Sequence, residues 1–271
     1  MSIYDKSNNM KKLCVFNFVT FLLVTLTLAS FAQTPEKIQQ ELISHIKNMK
    51  KYSAYGSNYK DALLSKEGEL FKTKLLKYAK QSAVLKYNFR ELSKHIDIAT
   101  SEDGKFRIYS WDSEQGGTMH FFENIFQFLG SDGKVYSKSN DLEEGDAGGF
   151  VSDVFGIDTK QGKVYLARFH SIFSTQDSGQ SVELFKIQGT AFKDAKLIKT
   201  NSGLTNKLGF GYNFFSVVDR PERPIKLFVY DNKTKTIKFP VVVEDEKFPN
   251  GGVTDKFIEY KFNGTYFVKV N

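Results

Sequence analysis

The sequence predicts an α+β fold that is mostly β: an N-terminal helical segment packed on an antiparallel β-rich body, built as a propeller-like meander or a sandwich. Three observations predict it. Apolar residues recur at helical spacing up to about residue 94, and from Ile96 onward they alternate with polar ones, the period of a pleated strand. Short Asp-Gly, Gln-Gly, Asp-Asn and Asn-Gly steps then separate the alternating runs, as tight hairpins require. Finally, 26 Phe and 13 Tyr stand against one Trp, and 20 Gly against 5 Pro, a balance that suits half-buried strands and tight turns. With 41% hydrophobic and 25% charged residues, the chain is neither disordered, collagen-like nor a multi-span membrane protein.

The first element is an export signal rather than part of the fold. Lys11 and Lys12 precede an apolar run from Leu13 to Ala29, and Ser30 and Ala32 occupy the small-residue positions of a cleavage site before Gln33. The alternative is a membrane anchor, since the run is close to the shortest crossing length of about 17 residues. Asn17 and the threonines in the run favour cleavage, and Met10 is a plausible start. Cys14 lies at the beginning of the run, not at its end, which excludes a lipoprotein. The expected organisation is a signal peptide at 1–32, a helical segment at 33–95 and a β-rich domain at 96–271, the last two forming one compact unit. Loss of the leader removes the single cysteine, so the mature chain has no disulfide and no thiolate. It also lowers the formal charge from +7 to +5. This mild excess biases the protein toward anionic surfaces, but no dense basic cluster points to nucleic acid.

Residues 34–51 read as a helix, with Thr34 as N-cap, Pro35 at the first helical position and Glu36 in the first turn. Ile38, Leu42, Ile46 and Met49 form its apolar stripe. A second helical stretch runs from Tyr59 to Lys94, broken at weak points near Gly68 and Ser82. Leu63, Leu70, Phe71, Leu75, Tyr78 and Ala79 form one stripe, and Leu85, Phe89 and Leu92 the next. Beyond it the alternation predicts strands over 96–100, 106–112, 118–129, 134–137, 150–158, 163–171, 181–187, 195–200, 210–217, 225–230, 236–243, 256–262 and 265–270. The steps Gly104-Lys105-Phe106, Gly133-Lys134-Val135 and Gly162-Lys163-Val164 recur every 29 residues. They suggest a repeated hairpin, although Gly-Lys after a turn is common in any meander. Gly209-Phe210-Gly211 reads as a bulge or bend.

The established catalytic motifs are absent: there is no G-x-S-x-G, H-E-x-x-H, P-loop or dinucleotide fingerprint. The densest chemistry lies between Ser101 and Phe128. Alternation places Arg107, Tyr109 and Trp111 on one face of a strand, either as a stacking platform for a sugar or peptide or as core. Asp112 and Glu114 are either a carboxylate pair or turn-formers, and His120 either joins them or is a structural residue on an aromatic face. His170 could converge with His120 if their strands pair. Asp141, Glu143, Glu144, Asp146 and Asp153 crowd one Gly-rich loop, but their spacing fails the calcium-loop pattern, and a solvated loop is the expectation. No metal and no cofactor is expected.

The stretches DGKFRIYSWD and GGTMHFFENIFQF resemble a segment of uncharacterised exported proteins of Gram-negative bacteria, with the closing YKFNGTYFVKV as a weaker echo. The resemblance implies a periplasmic or secreted β-rich protein and brings no activity with it. The expected function is a non-catalytic binding or interaction module of the bacterial envelope, with Arg107, Trp111, Asp112 and His120 as candidate binding residues for a cell-envelope glycan, peptide or protein. One alternative is a hydrolase of extracellular polymers using Asp112 or Glu114 with His120. The other is an assembly protein docking through residues 34–92. Neither nucleic acid nor a membrane span after cleavage is expected.

Overall fold

A computed structural model describes residues 33–271 apart from Asp141, Gln161 and Asn271. The signal-peptide reading therefore lies outside the described residues. From Pro35 to the C-terminus the chain clusters as one unit, and among the described residues no helix is long and apolar enough to cross a membrane.

Helix α1 (Pro35–Lys51) buries Ile38, Leu42, Ile43, Ile46 and Met49 on one face. Helix α2 (Asp61–Tyr78) buries Leu64, Phe71, Leu75 and Tyr78. It runs through Gly68 without a break, because a mid-helix glycine costs only about 1 kcal/mol and the buried stripe outweighs that. The stripe begins at Leu64, while Leu63 is exposed. The chain breaks instead before α3 (Ser82–Lys86) and ends its helical part in a 3-10 turn at Leu92–Lys94.

Three antiparallel-rich sheets follow. The first is a meander of β1 (Asp97–Thr100), β2 (Phe106–Asp112), β3 (Phe122–Leu129) and β4 (Val135–Ser139). In the second, β5 (Phe150–Thr159), β6 (Gly162–Ile172) and β7 (Asp177–Gln188) are joined by β8 (Ala191–Asp194) and β11 (Lys207–Asn213), both paired to β7. The third contains β9 (Ile198–Thr200), β10 (Gly203–Thr205), β12 (Val229–Asp231), β13 (Thr236–Val243), β14 (Gly252–Phe262) and β15 (Phe267–Lys269). One parallel pair, β15 with β9, interrupts its antiparallel order. The strand expected at 118–129 starts only at Phe122. The segment expected at 225–230 joins β12 late because a buried glutamine replaces the sheet partner: Gln180 Oε1 accepts from Leu227 N and Phe228 N, and its Nε2 donates to Ile225 O.

Alternation determines how the sheets stack. One core joins the helices to Tyr109, Trp111 and Ile125 of the first sheet. The opposite parity of that sheet, Phe106, Ile108, Phe126 and Phe128, packs on Val154, Tyr165, Ala167 and Phe185 of the second. The far face of the second sheet, with Val164, Leu166, Val182 and Leu184, packs on Ile198, Ile237 and Phe267 of the third. The molecule is thus a stack of helices, sheet, sheet and sheet. It is a layered sandwich and not a propeller.

The first sheet is covered on both faces, so its polar residues need internal partners. Arg107 Nη1 donates to Val84 O and Tyr87 O, both at 3.0 Å, and its Nε to Thr100 Oγ1 at 2.7 Å. Gln127 Nε2 donates to Ala79 O at 2.6 Å and Ser137 Oγ to Leu76 O at 2.6 Å. Leu76 O and Ala79 O lie at the end of α2, where carbonyls lack intrahelical donors, and Arg107 serves the end of α3, where Val84 O also accepts from Tyr87 N.

The two ends of the stack differ. The three Gly-Lys steps are hairpin turns with Gly104, Gly133 and Gly162 at positive φ, and they lie at one end with the β7–β8 turn, where Leu129 N meets Lys105 O and Ser131 N meets Gly189 O. The long connections meet at the other end. There His120 N donates to Ile172 O, Phe122 N to Ala147 O and Phe214 N to Gln176 O.

Trp111→Ala is expected to lower the free energy of unfolding by about 4 kcal/mol. Trp111→Phe should stay within about 1.5 kcal/mol, because the buried indole Nε1 has no hydrogen-bond partner among the described residues. Arg107→Met should cost about 3 kcal/mol by removing the donors to Thr100 Oγ1, Val84 O and Tyr87 O. Urea unfolding checks all three.

Candidate functional site

At the long-loop end the first and second sheets part to leave a cleft of about 310 Å³. Phe126 and Phe169 form its apolar floor, and Asn124, Asn140, Ser171 and Ser181 line it with polar groups. Parity explains the set: Asn124 follows Phe126 on the same row of β3, and Ser181 shares its row of β7 with Phe185, so the cleft continues the core outward until its rows turn polar. A second hollow of about 440 Å³ adjoins it over β7 and β11, sharing Ser171, Phe173, Ser181 and Lys207.

The polar wall is preorganised. Asn140 Oδ1 accepts from Asn124 N at 2.9 Å, and Asn124 Nδ2 donates to Gly149 O at 3.0 Å. Ser171 Oγ donates to Gly148 O at 2.5 Å. Gly148 sits at φ 60°, and a Cβ there would stand 2.3 Å from Phe122 O, so only glycine fits this wall. Lys207 pairs with Glu183 at 2.8 Å on the rim.

The candidate residues read from the sequence fall elsewhere. Arg107 and Trp111 are only 6% and 2% exposed and face the helices. They cannot present a stacking platform to a ligand, since the face that alternation assigned them is covered by α1 and α2. Asp112 and His120 do come together, with His120 Nδ1 2.5 Å from Asp112 Oδ2. Tyr55 donates to both oxygens of Asp112 at 3.1 and 3.2 Å, and its ring lies 4.7 Å from the imidazole. Glu114 N adds a 2.9 Å bond to Asp112 Oδ1. This cluster ties the loop after β2 to the α1–α2 connection. Burial and the Asp112 charge push the Tyr55 phenol up, and burial pushes the Glu114 carboxyl up. Neither Asp112 nor His120 lines the cleft.

His170 does not join that cluster. His120 stacks on Phe122 at 6.1 Å, Phe122 meets Phe150 at 5.2 Å, and Phe150 stacks on His170 at 4.9 Å. Two phenyl rings therefore separate the histidines. His170 Nε2 bonds Ser152 Oγ at 2.8 Å, and Ser152 donates to Asp153, which pairs with Arg168 at 2.9 Å and Lys226 at 3.2 Å. In the acidic loop, Asp146 Oδ1 accepts from Gly148 N at 2.9 Å, while Asp153 is spent on these ion pairs. Among the described residues no group of three or more acidic or histidine side chains is arranged to hold a metal.

The cleft residues Asn124, Asn140, Phe173, Glu183 and Lys207 were not singled out by sequence reasoning. The available signal was the cluster of glycines at 179, 209 and 211. The Gly209-Phe210-Gly211 step, expected as a bulge or bend, pairs in regular register, Gly209 with Ser181 and Gly211 with Gly179.

The chain matches no protein-family model, no curated protein and no solved structure.

Burial, helped by the Arg168 guanidinium and Lys226 against the opposing Asp153, pushes the His170 imidazole down to about 3. The folded protein keeps it neutral, whereas the unfolded chain takes up a proton below about pH 6.5. This contribution to stability is complete above pH 6.5 and is lost progressively as pH falls toward 3. At pH 5 the loss should reach about 2 kcal/mol. Urea unfolding of wild type and His170→Gln at pH 7 and pH 5 checks this: the variant should lack that part of the decline, and equal declines would contradict it.

Proposed function

We propose that the protein is exported and serves in the bacterial envelope or medium as a non-catalytic binding module. Its ligand is a segment of an envelope polymer held in the cleft at the long-loop end. One observation carries the reading: a preformed cleft with a phenylalanine floor and convergent amide and hydroxyl groups, placed among loops and walled by fixed backbone. The leader pattern at Lys11–Ala32 and the resemblance of residues 101–128 support export.

Calorimetry of residues 33–271 against cell-wall fragments and a fractionated envelope extract tests the binding role. A ligand is expected from one of the two pools. Asn140→Ala and Lys207→Ala should each weaken it by about 5-fold, the effect of one lost hydrogen bond. No ligand in either pool, or a ligand indifferent to both substitutions, would count against the reading. Export predicts a periplasmic or secreted product whose N-terminal sequencing starts at Gln33. A cytosolic product retaining Leu13–Ala29 would contradict it.

A second reading, hydrolysis of such a polymer, draws on the Asp112–His120 pair, since a carboxylate on Nδ1 orients an imidazole for general-base work. It predicts release of reducing ends or new amines from wall fragments, abolished in His120→Gln.

A further inference from the structure

We propose that the cleft and the adjoining hollow form one groove for a linear, uncharged glycan, with Phe173 as the platform on which a sugar ring stacks. The inference rests on the binding-module reading and names its ligand class.

Phe173 stands where the two hollows meet and lines both. It is 42% exposed, and among the described residues its ring has no aromatic neighbour. Its backbone is nonetheless fixed: Phe173 N donates to Asp177 O at 2.8 Å, and Ser174 Oγ closes the turn on Asp177 Oδ2 at 2.8 Å. The ring lies against bare backbone, because a Cβ at Gly179 would stand 2.8 Å from Phe173 Cε2. An aromatic ring held flat and left open to solvent suits the apolar face of a pyranose with equatorial substituents.

The strand floor supplies a second, independent observation. Gly179, Gly209 and Gly211 lie on neighbouring positions of β7 and β11. None has positive φ, so no turn demands them, and each weakens its strand. Close packing accounts for two. The Gly209 Cβ would meet Ser181 Cβ at 3.0 Å, and the Gly179 Cβ would displace Phe173. Gly211 has no such reason: its nearest neighbour, Ser178 O, would stand at 3.8 Å. A shelf without side chains beside an aromatic platform leaves room for a second sugar ring.

Charge selects the glycan. The ionisable lining residues are Asp146, Glu183 and Lys207, and Lys207 is neutralised by Glu183. Among the described residues the groove has no spare cation for a uronate or phosphate. The partly buried Asn140 and Ser171 instead match hydroxyl and acetamido groups, whereas the Asn124 amide is spent on Ser110 and Gly149 and shapes the wall. A peptide adding to the β11 edge is the competing class of ligand.

Calorimetry of residues 33–271 with the tetrasaccharides of β-1,4-linked glucose and β-1,4-linked N-acetylglucosamine, with polygalacturonate and with wall-derived peptides tests the proposal. A neutral tetrasaccharide is expected to bind. Phe173→Ala should weaken it at least 10-fold and Gly211→Val at least 5-fold, while Phe173→Trp retains binding. Both sites face solvent, and unchanged urea unfolding of the variants separates lost binding from lost fold. Tetrasaccharide binding indifferent to Phe173→Ala and Gly211→Val overturns the proposal, as does tighter binding of polygalacturonate. Peptide binding sensitive to Asn140→Ala, without glycan binding, overturns the ligand class and leaves the binding module standing. No binding by any probe or envelope fraction overturns both.

Discussion

Side chains of the first sheet close off the ends of the helices, and the rest of the molecule is arranged around that contact. Arg107, Gln127 and Ser137 reach the carbonyls of Val84, Tyr87, Ala79 and Leu76, which stand at or just beyond helix ends, where backbone donors run short. Each buried donor answers a buried acceptor, so neither partner can be dropped without stranding the other. The pairing sets the helices over β2 and β3 in one position, with Trp111 edge-on to Phe71 at 5.0 Å. It also settles what this face of the sheet is for. A row carrying Arg, Tyr and Trp could serve a ligand, but here it serves the helices.

With one face committed to the helices, the first sheet must bury its other face against the second, and the second against the third. Antiparallel connections then sort themselves by length. Three Gly-Lys hairpins and their neighbours close one end tightly, and the longer loops gather at the other. The loops hold one another through backbone hydrogen bonds such as His120 N to Ile172 O at 3.0 Å. Irregular loops tied to one another by backbone hydrogen bonds on a sheet scaffold are the setting in which binding sites are commonly built.

Two chemistries sit at this end and behave differently. Around Asp112 both carboxylate oxygens are taken up by Tyr55, His120 and Glu114 N, which anchors a loop. Around Phe173 the side chains of Asn140 and Ser171 are only partly buried, and each bonds the backbone through one atom, Asn140 Oδ1 to Asn124 N and Ser171 Oγ to Gly148 O. The first arrangement spends its carboxylate on an anchor, whereas the second leaves part of its hydrogen-bonding capacity at the rim. His170 belongs with the first kind, buried behind Phe150 and held neutral by its surroundings.

The change of period near residue 95, the turn steps and the strands at 106–112 and 236–243 were legible from the residues, because helical and pleated repeats and positive-φ turns are local properties. So was the common face of Arg107, Tyr109 and Trp111. What covers that face was not, since alternation reads the same whether a helix or a sugar lies on it. Leu63 and Leu64 could not be told apart for the same reason: a stripe one residue wide shifts with the direction from which the sheet approaches. The meeting of Asp112 with Tyr55, the separation of His120 from His170 by two phenyl rings, and the groove over Gly179, Gly209 and Gly211 join segments distant in the chain. The sequence by itself determined the elements and which side of each is apolar, through backbone sterics and periodicity. The order of the layers, and therefore which polar residues are spent inside and which are left open at the rim, was decided only by tertiary packing, because burial is a property of neighbours that the local chain does not contain.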